Sequence, residues 1–143
     1  MAQLTAASER AYTLGDHRDT SQPVEASAVI YKGAALGDDA SGFVRQFVDG
    51  DPFRGFALEN VTGGSADGDE RCAVRYRGII QLTVTGGAAG KVNATVFLTD
   101  SNTFSLTDSG SDIVVGLIHR HVSGTTVNVR FDVDSPAAAA VSA

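Results

Sequence analysis

The sequence predicts an all-β chain: a small single-domain β-barrel or sandwich with a flexible N-terminal arm and a C-terminal tail. Three observations predict it. From Arg71 to Val84 the residues alternate with a period of two, Cys72, Val74, Tyr76, Gly78, Ile80, Leu82 and Val84 on one side and Arg71, Ala73, Arg75, Arg77, Ile79, Gln81 and Thr83 on the other. That period belongs to a strand with one buried face; a helix would scatter the same residues around its circumference. Second, 16 glycines punctuate short Val, Ile and Phe runs, whereas there are only 3 prolines and no tryptophan, a pattern that suits many short strands joined by turns. Third, about eight such runs follow one another closely, with a turn signal between each pair.

Taken in order, residues 1–23 have no sustained periodicity. Leu4, Tyr12 and Leu14 are isolated apolar points among Ser, Thr, Gln, Asp and Ala. This stretch reads as an arm, mobile alone and able to order on a partner. The globular domain is expected over 24–134. Ala26 to Leu36 holds the first strand, around Val29-Ile30-Tyr31, with Gly33 and Gly37-Asp38-Asp39 as turns. Phe43 to Val48 is a strand, and Asp49-Gly50-Asp51-Pro52 a turn, because glycine takes positive φ freely and proline presets its own. Phe53 to Val61 is a further strand, with Phe56 and Leu58 on one face. Residues 62–70 form an acidic, glycine-rich loop.

The loop feeds the Arg71–Val84 run. At ~3.3 Å per residue that run would span roughly 46 Å, long for a flat strand, so a bend is expected at Gly78. Thr85 to Gly90 is a second glycine-rich connection. Strands are expected over Val92 to Leu98 and at Phe104 to Leu106. Ile113 to Ile118 is apolar on both faces, as in the centre of a sheet. In the last strand Val127, Val129, Phe131 and Val133 point one way and Thr126, Asn128, Arg130 and Asp132 the other; Ser123-Gly124 can close a hairpin before it. Residues 135–143, alanine-rich and of low complexity, are expected to be a disordered tail.

Composition narrows the function. The chain has 143 residues, room for one modest core. It carries 11 basic and 17 acidic residues, a formal charge of −6, which argues against general affinity for nucleic acid or an anionic membrane and favours solubility or a basic partner surface. The single cysteine, Cys72, excludes an intramolecular disulfide and a multi-cysteine zinc site, and its place on the apolar side reads as an inert buried thiol. There is no signal-peptide pattern and no apolar run of transmembrane length, so a cytoplasmic origin is expected.

Candidate chemistry is sparse. Asp16-His17-Arg18-Asp19 contains ligand types in no recognisable metal spacing. His119 and His121 would share one face of a strand, but no third ligand is evident nearby. Gly86-Gly87-Ala88-Ala89-Gly90-Lys91 departs from a phosphate loop: Thr85 stands where the first glycine is needed and Val92 follows the lysine. Asp67, Asp69 and Glu70 lack the order of a calcium loop. No cofactor or metal site is assigned, and no catalytic residue. The most informative cluster is Arg71, Arg75 and Arg77. It reads either as a solvated outer face or as a contact stripe for an acidic protein surface, a role that suits the planar, bidentate guanidinium. Leu4, Tyr12 and Leu14 are the arm's candidate interface residues.

The runs Ala26-Ser-Ala-Val-Ile-Tyr-Lys-Gly-Ala-Ala-Leu-Gly, Phe53-Arg-Gly-Phe-Ala-Leu-Glu-Asn-Val and Arg75-Tyr-Arg-Gly-Ile-Ile-Gln-Leu resemble, in their order, the phage capsid cement or head decoration proteins. Lys91-Val92, Val96-Phe-Leu-Thr-Asp, Thr103-Phe-Ser-Leu-Thr, Val115-Gly-Leu-Ile and Val127-Asn-Val-Arg-Phe fit the same pattern, so the likeness spans about Ala26 to Val133. The resemblance implies a small β-barrel on the outside of an icosahedral head, bound to the major capsid protein. It also implies a homo-trimer or capsid-bound cluster, no catalytic activity, and a role in stabilising the expanded shell against internal DNA pressure. Two other readings remain. A ligand- or glycan-binding barrel module would want exposed aromatics on a concave face. A trimeric hydrolase would need acidic residues such as Asp67, Asp69 and Asp100 to converge.

Overall fold

The computed structural model describes residues 18–107 and 113–133. Their regular elements are strands but for one 3-10 turn at Ala89–Lys91: β1 (Asp19–Pro23), β2 (Val29–Ile30), β3 (Ala35–Asp38), β4 (Val44–Gln46), β5 (Phe53–Ala57), β6 (Val61–Thr62), β7 (Arg71–Arg75), β8 (Arg77–Thr85), β9 (Thr95–Asp100), β10 (Thr103–Ser105), β11 (Val114–Ser123) and β12 (Thr126–Asp132). The all-β expectation is met, and part of the chain is a closed barrel, in the order β10-β8-β12-β11-β9. The barrel is narrower in sequence than expected. It uses only the C-terminal half, while the N-terminal half forms a five-stranded sheet, β1-β7-β5-β3-β4, and a small β2-β6 pair.

The sheet nearly closes on itself. Just past β1, Val24 makes a parallel bridge to Val44 on the opposite edge, and the Glu25 N–H donates to the Val44 carbonyl at 3.0 Å. The curl encloses a core of Val24, Ile30, Leu36, Val44, Ala57, Cys72 and Val74. A second, larger core fills the barrel with Val84, Val96, Leu98, Ile118, Val127 and Val129 and draws in Ala35, Phe47 and Phe56 from the sheet. Burying these faces is the main favourable contribution to folding, at roughly 25 cal/mol per Å² of apolar surface.

The long alternating run is two strands, not one. It breaks at Tyr76, two residues before the expected bend. The Tyr76 N–H donates to the Arg18 carbonyl at 2.8 Å, on the sheet side, and its own carbonyl accepts from the Val133 N–H at 2.9 Å, on the barrel side. One residue thus hands the chain from sheet to barrel. Gly78 still carries distortion, with φ of 151°, a conformation that side-chain-bearing residues rarely adopt. The alternation survives the break: Cys72, Val74 and Val84 are buried, and Arg71, Arg75, Ile79, Gln81 and Thr83 are exposed.

The end of the stretch expected as an arm is a strand. Asp19–Pro23, placed in it by sequence, is β1 and pairs antiparallel with β7 from Asp19↔Arg75 to Pro23↔Arg71. The segment Asp-Thr-Ser-Gln-Pro has no apolar residue to show a period, so its strand is imposed by the neighbouring ladder. Leu4, Tyr12, Leu14, the pair Asp16-His17 and the tail 135–143 lie outside the described residues.

Candidate functional site: a basic hollow on the barrel face

The three arginines of the central run do not form one stripe. Arg71 and Arg75 turn onto β1. Arg71 donates from Nε to Ser21 Oγ at 2.9 Å and from Nη2 to the Ser21 carbonyl at 2.7 Å. Arg75 grips Asp19 with two bonds, Nε to Oδ1 at 2.8 Å and Nη2 to Oδ2 at 3.2 Å. That hydrogen bonding holds the Asp19 carboxyl below its ordinary range. Both partners are half exposed, so water screens the pair and its effect on stability is small.

Arg77 lies across the break, in the barrel. The antiparallel register of β8 and β12 sets Arg77 opposite Asp132 and Ile79 opposite Arg130. Together with Arg18, which immediately precedes β1, these residues line an open hollow of about 900 Å³. Ile79 is 56% exposed there. The Arg77 guanidinium carbon stands 5.8 Å from the centroid of the Tyr76 ring, a cation–π contact that helps orient it. Three guanidinium groups and one carboxylate around an exposed isoleucine make a local positive site on a chain of net charge −6. Such a surface suits a carboxylate-bearing protein partner: arginine pairs in plane with the acid while the apolar residue is covered.

The sequence marks Arg77 and puts Arg130 on the outer side of its strand, but does not join them. The signal was there in part. A hairpin at Ser123-Gly124 fixes β12 against β11, yet the register of β12 on β8 depends on barrel closure, which no local pattern reveals. Arg18 was unreadable as a site residue because it precedes a strand with no apolar period.

The other candidates take structural roles. Asp67 Oδ1 accepts from the Ala26 N–H at 2.8 Å, and Asp69 Oδ2 from the Ala66 N–H at 3.0 Å, so these carboxylates shape their own loop and its neighbour. Asp100 accepts from the Asn102 N–H at 2.9 Å and from Thr103 Oγ1 at 3.0 Å, closing the turn before β10. His119 is exposed, and His121 Nε2 is 3.0 Å from the Gly124 carbonyl. Among the described residues, no three His, Cys, Asp or Glu side chains gather as a metal site. Lys91 ends a 3-10 turn of three residues, not the helix a phosphate loop requires. Cys72 is buried, and desolvation, aided by the Glu59 charge, pushes its thiol up to about 11, so at neutral pH it is a protonated core group. No helix among the described residues is long and apolar enough to cross a membrane.

Compared with known proteins, the chain matches no family model and no curated protein.

Proposed function

We propose that the chain is a structural virion protein that binds the outer surface of an assembled phage-like capsid and stabilises the shell. Its partner in this reading is the major capsid protein, and it acts as a homo-trimer or a capsid-bound cluster on the capsid exterior. The observation that carries the reading is the hollow of Arg18, Arg77 and Arg130 around exposed Ile79, whose chemistry suits contact with an acidic protein surface. The resemblance of the chain's short motifs, in their order, to those of head decoration proteins suggests the partner for that surface. The rival glycan-reading module asks for aromatic platforms. In the basic hollow and in a second one lined by Ile80 and Leu82, the aromatic residues are Phe131 and Phe104, both buried.

The test is co-sedimentation with purified expanded heads. Arg77→Glu combined with Arg130→Glu should leave the domain folded and cut head binding at least tenfold, since each reversed charge in a desolvated contact costs on the order of 1.4 kcal/mol or more. Normal head binding by the double variant would remove the hollow from the interface. Failure of the unmodified chain to sediment with heads would end the capsid reading.

A further inference from the structure

The barrel wall has a gap. β12 runs along β8 from Arg77 to Thr83, but β10 joins the other side of β8 only at Val84 and Thr85. Among the described residues, the stretch from Ile79 to Gln81 therefore has a ladder on one side only.

Three hydrogen bonds fix which backbone groups face the gap. The Tyr76 carbonyl accepts from Val133 at 2.9 Å and the Val84 N–H donates to Thr125 at 2.9 Å, so even positions face β12. The Thr85 carbonyl accepts from the Leu106 N–H at 3.1 Å, so odd positions face the other way. With a strand period of two, the N–H and C=O groups of Ile79 and Gln81 point into the gap. Beside them runs an open groove of about 550 Å³, lined among others by Ile80, Leu82, Phe104, Asn102 and Thr103. Ile80 and Leu82 belong to the apolar face of β8 and pack on the barrel core, yet both remain only half-buried, because no strand among the described residues covers them.

We propose that this gap is a strand-addition site, which takes an extended segment of a partner polypeptide and so completes the barrel wall. Unpaired edge groups next to partly uncovered apolar side chains are what strand addition uses: main-chain bonds supply affinity, and alternate side chains supply specificity. The segment would place apolar residues at alternate positions over Ile80 and Leu82. Its other residues would face outward, level with Arg77 and Ile79. The neighbouring guanidinium groups of the basic hollow favour an acidic residue at the Arg77 end, as a cross-strand pair of opposite charge. About five residues, roughly 16 Å, would fill the gap. This goes beyond the capsid reading, because it defines the partner by backbone shape and side-chain pattern, not by its source.

The test uses the full chain and an end-capped peptide, Asp-Val-Thr-Val-Ser-Val, with a copy N-methylated on the edge that would bond β8. Amide exchange is followed by NMR. In the free chain the Ile79 and Gln81 amides should exchange fast while those of Ile80 and Leu82, bonded to β12, are protected. The peptide should slow Ile79 and Gln81 roughly tenfold or more, and the N-methylated copy should not. Gln81→Pro removes a donor only on the open side, where a strand tolerates proline, so it should fold and lose the peptide, while Gln81→Thr should keep it. Three results would overturn the proposal: Ile79 and Gln81 already protected in the free chain, by a second copy or by the chain's own terminal residues; no slowing on peptide addition; or equal binding of the N-methylated copy.

Discussion

The ring of Phe56 on β5 meets the ring of Phe131 on β12 edge to face, with centroids 5.0 Å apart and planes at 80°. Phe53 adds a second edge contact to Phe131 at 6.4 Å, and Phe104 lies 6.1 Å from Phe56. These rings join the sheet to the barrel, and both halves are expected to unfold together. Phe56→Ala should cost about 3–5 kcal/mol, the range for a large buried aromatic, read as a lower urea midpoint. Two separate transitions in that variant would mean that Phe56 alone couples the halves.

Asp51 is the one charged side chain buried among the described residues. Arg45 holds it from Nη2 at 2.8 Å and Nε at 3.0 Å, and the Val48 N–H adds a bond at 3.2 Å. The backbone at Gly37 presses close, since a Cβ there would fall 2.5 Å from the Asp51 Cβ. Arg45→Met should therefore destabilise by about 2–3 kcal/mol, because it strands a buried carboxylate. Arg45→Lys should recover only part of that, as an ammonium cannot bond both oxygens in plane. Thermal melts of the pair give the ranking.

β1 should loosen in acid. Asp19 has a folded-state pKa below its ordinary value, set first by its hydrogen bond to Arg75. A lowered carboxylate contributes stability that is fully present above the unfolded value near 3.9 and is lost as pH falls through the folded one. Glu25 and Asp38 are shifted upward, chiefly by desolvation, so their protonation favours the folded state and opposes the effect globally. A local readout separates them. Amide exchange at Thr20 and Gln22 should quicken below about pH 4, and in Asp19→Asn it should already be quick at neutral pH.

Truncation should discriminate between the arm and the strand. Removing residues 1–17 leaves β1 intact and should barely change the melting temperature. Removing 1–22 strips β7 of its partner ladder and uncovers Val74 and Cys72, both fully buried; it should cost several kcal/mol or prevent folding. If the arm contributes to attachment, the shorter deletion weakens co-sedimentation with heads while the fold stays normal.

Much of the barrel and part of the sheet can be read from alternation. Val127, Val129 and Phe131 are buried as their spacing implies, and so are Cys72, Val74 and Val84. The switch at Tyr76 could not be read, because the two-residue period runs through it unchanged; only the identity of the neighbouring strands differs on either side. β1 was hidden for the opposite reason, having no period to show. The sequence singles out Arg71, Arg75 and Arg77 as one cluster, but their division of labour follows from which strand lies within reach of each guanidinium. Arg71 and Arg75 face β1, whereas Arg77 faces Asp132 across β8 and β12. In the sequence Gly116 belongs to an apolar run, yet what it supplies is closeness: a Cβ there would sit 2.1 Å from the Arg130 carbonyl oxygen.

The grip of Arg71 on Ser21 has a bearing on solubility at high concentration. Even positions of β1 bond towards β7, as the Arg18 carbonyl and Val24 N–H both do, so Ser21 looks outward along the sheet margin, while Pro23 lies at the end where the Val24–Val44 bridge curls the sheet closed. Arg71 plugs the Ser21 oxygen, and proline offers no hydrogen to donate. A margin muted in this way is a poor template for runaway stacking of one molecule upon another at that edge.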